Sequence, residues 1–164
     1  MALIIWDWVM CRIERLTRSD FDHIVTHHDE YWESDLTLRL HHPMFVHEFG
    51  DTAYVVRDGE FVAAYLMGFF AQTSRYAYVH MVATHRDYRG RGLARRLYEH
   101  FICLARRSGC VGLKATAKAT NAASIGFHRA MGMRLLGEPN EDGIPVVAGY
   151  LKPGDDRVVY YMAI

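Results

Sequence analysis

The chain has 164 residues, 51% hydrophobic and 23% charged, which is long enough for one packed core and too apolar for a disordered segment. Lysine plus arginine and aspartate plus glutamate both number 19, so no global charge draws the chain to nucleic acid or to an anionic membrane. No stretch reaches the roughly 18 apolar residues of a membrane span, and three cysteines (Cys11, Cys103, Cys110) without CxxC spacing indicate neither a disulfide framework nor a thiolate zinc site.

The apolar start carries Asp7 and no basic leader, a poor signal peptide, so a cytoplasmic address is expected. Residues 1–9 read as an extension ahead of a start at Met10, and 1–164 as a single domain. Cys11 to Leu16 alternates as a first strand, and Thr17 to Asp20 offers caps for a following helix. From Phe21 to Phe49 the pattern is helical but interrupted at Pro43 and closed by Gly50, which predicts two short helices. Thr52–Arg57 and Phe61–Phe70, joined at Asp58-Gly59, form a hairpin, since an Asp-Gly pair suits the positive φ angles of a tight turn.

Tyr76 to Thr84 is apolar and rich in valine and aromatics, as expected of a central strand buried on both faces. Leu93, Leu97, Phe101 and Leu104 mark one face of a helix with Arg106 and Arg107 in its last turn and Gly109 as its stop. Val111 to Thr116 is a short strand, and Ala122 to Met131 a helix opened by Asn121 and ended by Gly132. Met133–Leu136 and Arg157–Met162 read as the last strands, with Gly137 to Asp156 between them as a loop or extended hairpin.

Chemistry concentrates between Arg86 and Arg96, where five arginines face one acid. Arg89-Gly90-Arg91-Gly92-Leu93-Ala94 lies at a strand-to-helix turn, where glycines let the backbone approach a ligand and a new helix offers unpaired N–H groups with partial positive charge. A phosphate or diphosphate suits such a turn, with charge added by Arg89 and Arg91; a solvated basic turn is the alternative for the hexapeptide alone. A Rossmann turn fails because Arg95 stands where a third glycine is required, and a Walker loop fails because no Gly-Lys-Ser/Thr is present.

These residues resemble the GNAT superfamily of acyl-CoA-dependent N-acyltransferases. Its phosphate motif, Arg/Gln-x-x-Gly-x-Gly/Ala, is matched at every specified position by Arg89 to Ala94. A second motif resembles Asn121-Ala-Ala-Ser124-Ile-Gly-Phe127-His128, followed by Gly132-Met133, with two departures: His128 replaces the family's frequent tyrosine, and Met133 its phenylalanine. The resemblance implies an α+β fold with a central mixed, mostly antiparallel sheet of about seven strands, splayed at its central strand and flanked by about four helices. It implies acetyl-CoA, or another acyl-CoA, as cosubstrate, with no metal, and direct transfer to the primary amine of a small molecule or peptide in a ternary complex.

By the same resemblance Val82, Ala83 and Thr84 bind the pantetheine arm, and Arg89, Gly90, Arg91, Gly92, Leu93, Ala94, Asn121, Ser124 and Phe127 complete the cofactor site. His80 is the candidate base and Tyr78 shares its strand face; a hydrogen-bonded core histidine is the alternative for His80. His128, if held protonated, is the candidate donor to the leaving thiolate, or else a helix-packing residue. Glu30, Trp32, Glu33 and Asp35 are the candidate acceptor contacts, or else a solvated acidic face with one packed tryptophan. His41, His42 and His47 lack a fixed ligand spacing, so no metal is expected. A homodimer is compatible with the reading, and neither nucleic acid nor membrane is an expected partner. The rival classes are a non-catalytic acyl-CoA sensor on the same fold and a nucleic-acid binder built on the arginines; the second leaves the Asn121 motif unexplained.

Overall fold

The computed structural model describes residues 12–33 and 35–164; Cys11, where the first strand was expected to begin, and Met10, the expected start, lie outside the described residues, as do 1–9. The chain forms two compact units, one of residues up to Phe69 with Met81–Phe101, the other of Phe70–His80 with Ile102–Ile164.

In the first unit, β1 (Arg12–Arg15), β2 (Ala53–Asp58) and β3 (Phe61–Phe70) pair antiparallel, with Ile13 opposite Val56 and Val55 opposite Tyr65. The β2–β3 turn falls at Gly59-Glu60, one residue beyond the expected Asp58-Gly59, because Asp58 still pairs with Phe61 and only Gly59 takes a positive φ. Helix α1 (Arg18–Thr26) starts from a capping box in which the Thr17 side chain accepts from the Asp20 N–H and the Asp20 carboxylate accepts from the Thr17 N–H. The same carboxylate takes Arg57 Nη2 at 2.6 Å, which ties the helix to β2. After α1 come α2 (His28–Trp32), a 3₁₀ segment (Asp35–Leu40) and α3 (Met44–His47), so the broken helical pattern resolves into more and shorter pieces than the two expected. Phe21, Ile24, Tyr31 and Phe45 from these helices pack on Val55 and Tyr65 in one apolar core.

Strand β4 (Tyr76–Thr84) is divided between the units, and α4 (Leu93–Arg107) follows it. β4 departs from the expected burial on both faces: Ala77, Val79, Met81 and Ala83 are buried, whereas Tyr78, His80, Val82 and Thr84 alternate with them half-exposed. The strand buried on both faces is β3.

In the second unit β4 pairs parallel with β5 (Gly112–Ala117), from Tyr76 opposite Gly112 to Val79 opposite Ala115, while β4 itself runs on to Thr84. Helix α5 (Ala122–Ala130) is capped by Asn121. β6 (Arg134–Leu136), β7 (Glu138–Pro139), β8 (Pro145–Lys152) and β9 (Asp155–Ala163) complete the unit, with β9 antiparallel to both β5 and β6. The segment 137–156 takes the hairpin form, its β8 pairing with β7 and β9. The fold is α+β with a mixed, mostly antiparallel sheet, and the described residues hold nine strands and five α-helices. The short β7 and the single-turn α3 are among the elements beyond the seven strands and four helices expected.

Candidate active site

In the first unit the turn between β4 and α4 is built in steps. His85 leaves β4 with its N–H donated to the Ala63 carbonyl at 2.9 Å, and its Nδ1 accepts from the Asp87 N–H at 3.3 Å, capping a 3₁₀ turn over Arg86–Tyr88. Gly90 (φ 76°) and Gly92 (φ 73°) then alternate with Arg91, the conformations that point successive N–H groups to one side. Leu93 is buried and fixes the start of α4, whose first-turn bond joins the Arg96 N–H to the Gly92 carbonyl at 3.1 Å. Among the described residues no protein acceptor takes the N–H of Gly90, Arg91, Gly92, Leu93 or Ala94. Five consecutive donors at the positive end of a helix suit an anion with several oxygens.

The Arg89 and Arg91 side chains, both exposed, make contacts within the protein. Arg89 donates from Nε to the Thr84 carbonyl (3.4 Å), from Nη1 to Glu33 (2.7 Å) and from Nη2 to the Tyr31 carbonyl (2.9 Å). Arg91 donates to the Asp87 carbonyl at 3.2 Å and lies over the Tyr88 ring, 4.8 Å from its centroid. Both guanidinium groups stay exposed while making these contacts, so they add positive charge beside the run of backbone amides.

The candidate acceptor residues divide. Glu30 meets His85 Nε2 at 2.7 Å, a hydrogen bond that holds its carboxyl below the usual range. Trp32 Nε1 donates to the Tyr65 hydroxyl at 2.6 Å, and that hydroxyl donates to His41 Nε2 at 2.6 Å. His41 Nδ1 in turn donates to the Thr37 carbonyl at 3.1 Å. His41 is thus part of a buried network that fixes the 3₁₀ segment, a partner set that the histidine pattern alone did not disclose. The Asp35 side chain lies outside the described residues.

In the second unit Asn121 Oδ1 accepts from the Ser124 N–H at 3.0 Å and opens α5. Ser124 Oγ lies 3.2 Å from both His128 Nδ1 and the Tyr160 hydroxyl. The His128 ring is stacked on Tyr160, and Phe127 meets it edge-on at 5.2 Å. Nδ1 of His128 donates to the Ser124 carbonyl at 2.7 Å, which leaves Nε2 as the unprotonated nitrogen of a neutral ring. Burial pushes this imidazole down to about 4 against the smaller opposing effect of that carbonyl. The ring is 4% exposed, so a positive charge on it would be poorly solvated. On β4, the Tyr78 hydroxyl pairs with Thr116 Oγ1 at 2.8 Å, and burial raises its pKa. His80 lies on the same half-exposed face.

Residues that the sequence did not single out are His85 and Tyr160. His85 directly follows a strand and precedes Arg-Asp, a weak capping signal, whereas Tyr160 is set by contacts far along the chain. Glu33, expected with the acceptor contacts, pairs with Arg89 at 2.7 Å.

A family model described as acetyltransferase (GNAT) family matches residues 10–133. The chain is similar to the L-methionine sulfoximine/L-methionine sulfone acetyltransferase of Salmonella typhimurium, 34% identical over 70 residues. That match takes in 43% of this chain and 41% of the relative's length. Among solved structures it is similar in fold to the ribosomal-protein-alanine N-acetyltransferase of Brucella melitensis (TM-score 0.67, 21% identity, 93% of this chain and 99% of that one). It is also similar to PaiA N-acetyltransferase of Thermoplasma acidophilum in complex with coenzyme A (TM-score 0.68, 8% identity, 94% and 99%).

Proposed function

Because the chain belongs to the acetyltransferase (GNAT) family, we propose that it is an N-acetyltransferase that passes an acetyl group from acetyl-CoA to a primary amine by direct attack in a ternary complex. The observation that carries this reading is the run of outward N–H groups from Gly90 to Ala94, which matches the oxygens of a diphosphate. Acetyl-CoA supplies an acyl group activated as a thioester. The protein's part is to bind it, to orient it and to manage protons.

In this reading the backbone of Val82, Ala83 and Thr84, beyond the last β5 partner of β4, follows the pantetheine arm. Asn121, Ser124 and Phe127 complete the binding of the thiol end. An alkyl amine with a reference pKa of about 10.4 is protonated at neutral pH and lacks a lone pair, so a base must take its proton. His80, on the half-exposed face of β4 with Tyr78 two residues before it, fills that role. His128 serves as a neutral residue that holds Ser124 in place. Trp32 and Asp35 meet the acceptor, whereas the Glu30 carboxylate is engaged by His85.

The acceptor is the amine of a small molecule or peptide, and the relative named for L-methionine sulfoximine and L-methionine sulfone supports including those compounds among the candidates. The test is a thiol-release assay with acetyl-, propionyl- and succinyl-CoA against a panel that includes L-methionine sulfoximine, L-methionine sulfone and alanine-initiated peptides. Amine-dependent thiol release is expected with acetyl-CoA. CoA binding without release from any amine favours the acyl-CoA sensor instead.

A further inference from the structure

We propose that Glu30 and Glu33 are positioning residues for the CoA-binding turn, two acids that hold an anion site in shape. The inference rests on the CoA-binding reading above and adds to it a role for α2.

Three contacts join α2 and its C-terminal cap to the turn. Glu30 Oε2 takes His85 Nε2 at 2.7 Å, Glu33 Oε1 takes Arg89 Nη1 at 2.7 Å, and the Tyr31 carbonyl takes Arg89 Nη2 at 2.9 Å. His85 is fixed on every side: its Nδ1 accepts from the Asp87 N–H, its backbone N–H reaches Ala63, and its ring stands edge-on to Phe61 (4.9 Å) and Tyr31 (5.3 Å). With Nδ1 an acceptor, the proton of the ring sits on Nε2 and points at Glu30. Arg89 spans from the Thr84 carbonyl at the end of β4 to α2 and directly precedes Gly90. The two acids therefore grip both ends of the segment 85–89 that delivers the outward amides.

The backbone at Glu33 points the same way. It is the non-glycine residue with positive φ among the described residues (φ 53°, ψ 24°), at the C-cap of α2. Glycine or asparagine suits this left-handed conformation better than glutamate. Glutamate brings a carboxylate aimed at Arg89, and strain retained at one residue is a mark of function when a specific contact depends on it.

Charge alone predicts the opposite of positioning. Removing a carboxylate beside a polyanion site should tighten CoA, whereas loss of the brace should weaken it. Calorimetric titration with CoA separates the two for wild type, Glu30→Gln, Glu33→Gln and the double variant. Asp29→Asn is the charge control, an exposed acid on the same helix with no carboxylate contact among the described residues. Each Gln variant is expected to raise Kd about fivefold and the double variant more, the scale of one charge-assisted contact, while Asp29→Asn leaves Kd unchanged or lower.

Glu33→Gly supplies a readout that a merely structural role would not give. Relief of positive φ should keep or raise the thermal midpoint while Kd still rises. Gln variants that bind CoA as tightly as wild type, or more tightly, overturn the proposal. Wild-type protein that ignores CoA overturns the functional reading, and the brace with it.

Discussion

The His128 ring lies flat on Tyr160, with centroids 3.8 Å apart and planes within 6° of parallel. Its burial has a pH consequence. Burial pushes the folded ring down to about 4, below the ordinary imidazole value of 6.5, so between these values the unfolded chain binds a proton that the folded chain does not. Stability should rise with pH through this window, and as pH falls from 6.5 to 4 it should drop by on the order of 3 kcal/mol. Urea unfolding at pH 7 and pH 4.5 checks this: His128→Phe should flatten the difference, and an equal slope in wild type and variant contradicts it.

Gly90 offers a clean test of the turn's backbone. A Cβ placed there meets nothing within 4 Å, so Gly90→Ala acts through its φ of 76° alone. The strain, about 1–2 kcal/mol, should appear as a loss of CoA affinity of roughly fivefold or more with the fold retained, measured by calorimetry beside thermal melting.

The Tyr65 hydroxyl accepts from Trp32 and donates to His41 inside the core. Tyr65→Phe strands both partners, which should lower stability by about 1–3 kcal/mol. Because the change lies in the expected acceptor segment, KM for the amine should rise while the Kd for CoA holds. A shift in CoA affinity alone contradicts that assignment.

For His80 the expected signature is kinetic. His80→Gln should lower kcat by about 10²–10⁴ and remove the acid-side fall of the pH–rate profile, where protonation of the base slows the reaction, while sparing CoA binding. Wild-type kcat in the variant excludes it as the base.

What the sequence disclosed was local. The turn glycine Gly59, the Asn121 cap and the alternation of Gly90 and Gly92 with Arg91 each act within a few residues, so their chemistry survives in a one-dimensional pattern. The Arg89–Glu33 pair was not legible because the two residues lie 56 positions apart. Tyr160 was missed for the same reason: it reaches Ser124 across 36 residues. The valine-rich run of β4 suggested burial on both faces, because apolar content alone does not distinguish a half-exposed face lined by Tyr78, His80 and Val82 from a covered one.

The central claim is that backbone amides opening α4 hold the diphosphate of CoA. An amide NMR titration of the full chain with CoA tests it most directly. The largest shifts are expected at the N–H groups of Gly90, Arg91, Gly92, Leu93 and Ala94. Saturable binding that leaves those five resonances unmoved would contradict the account.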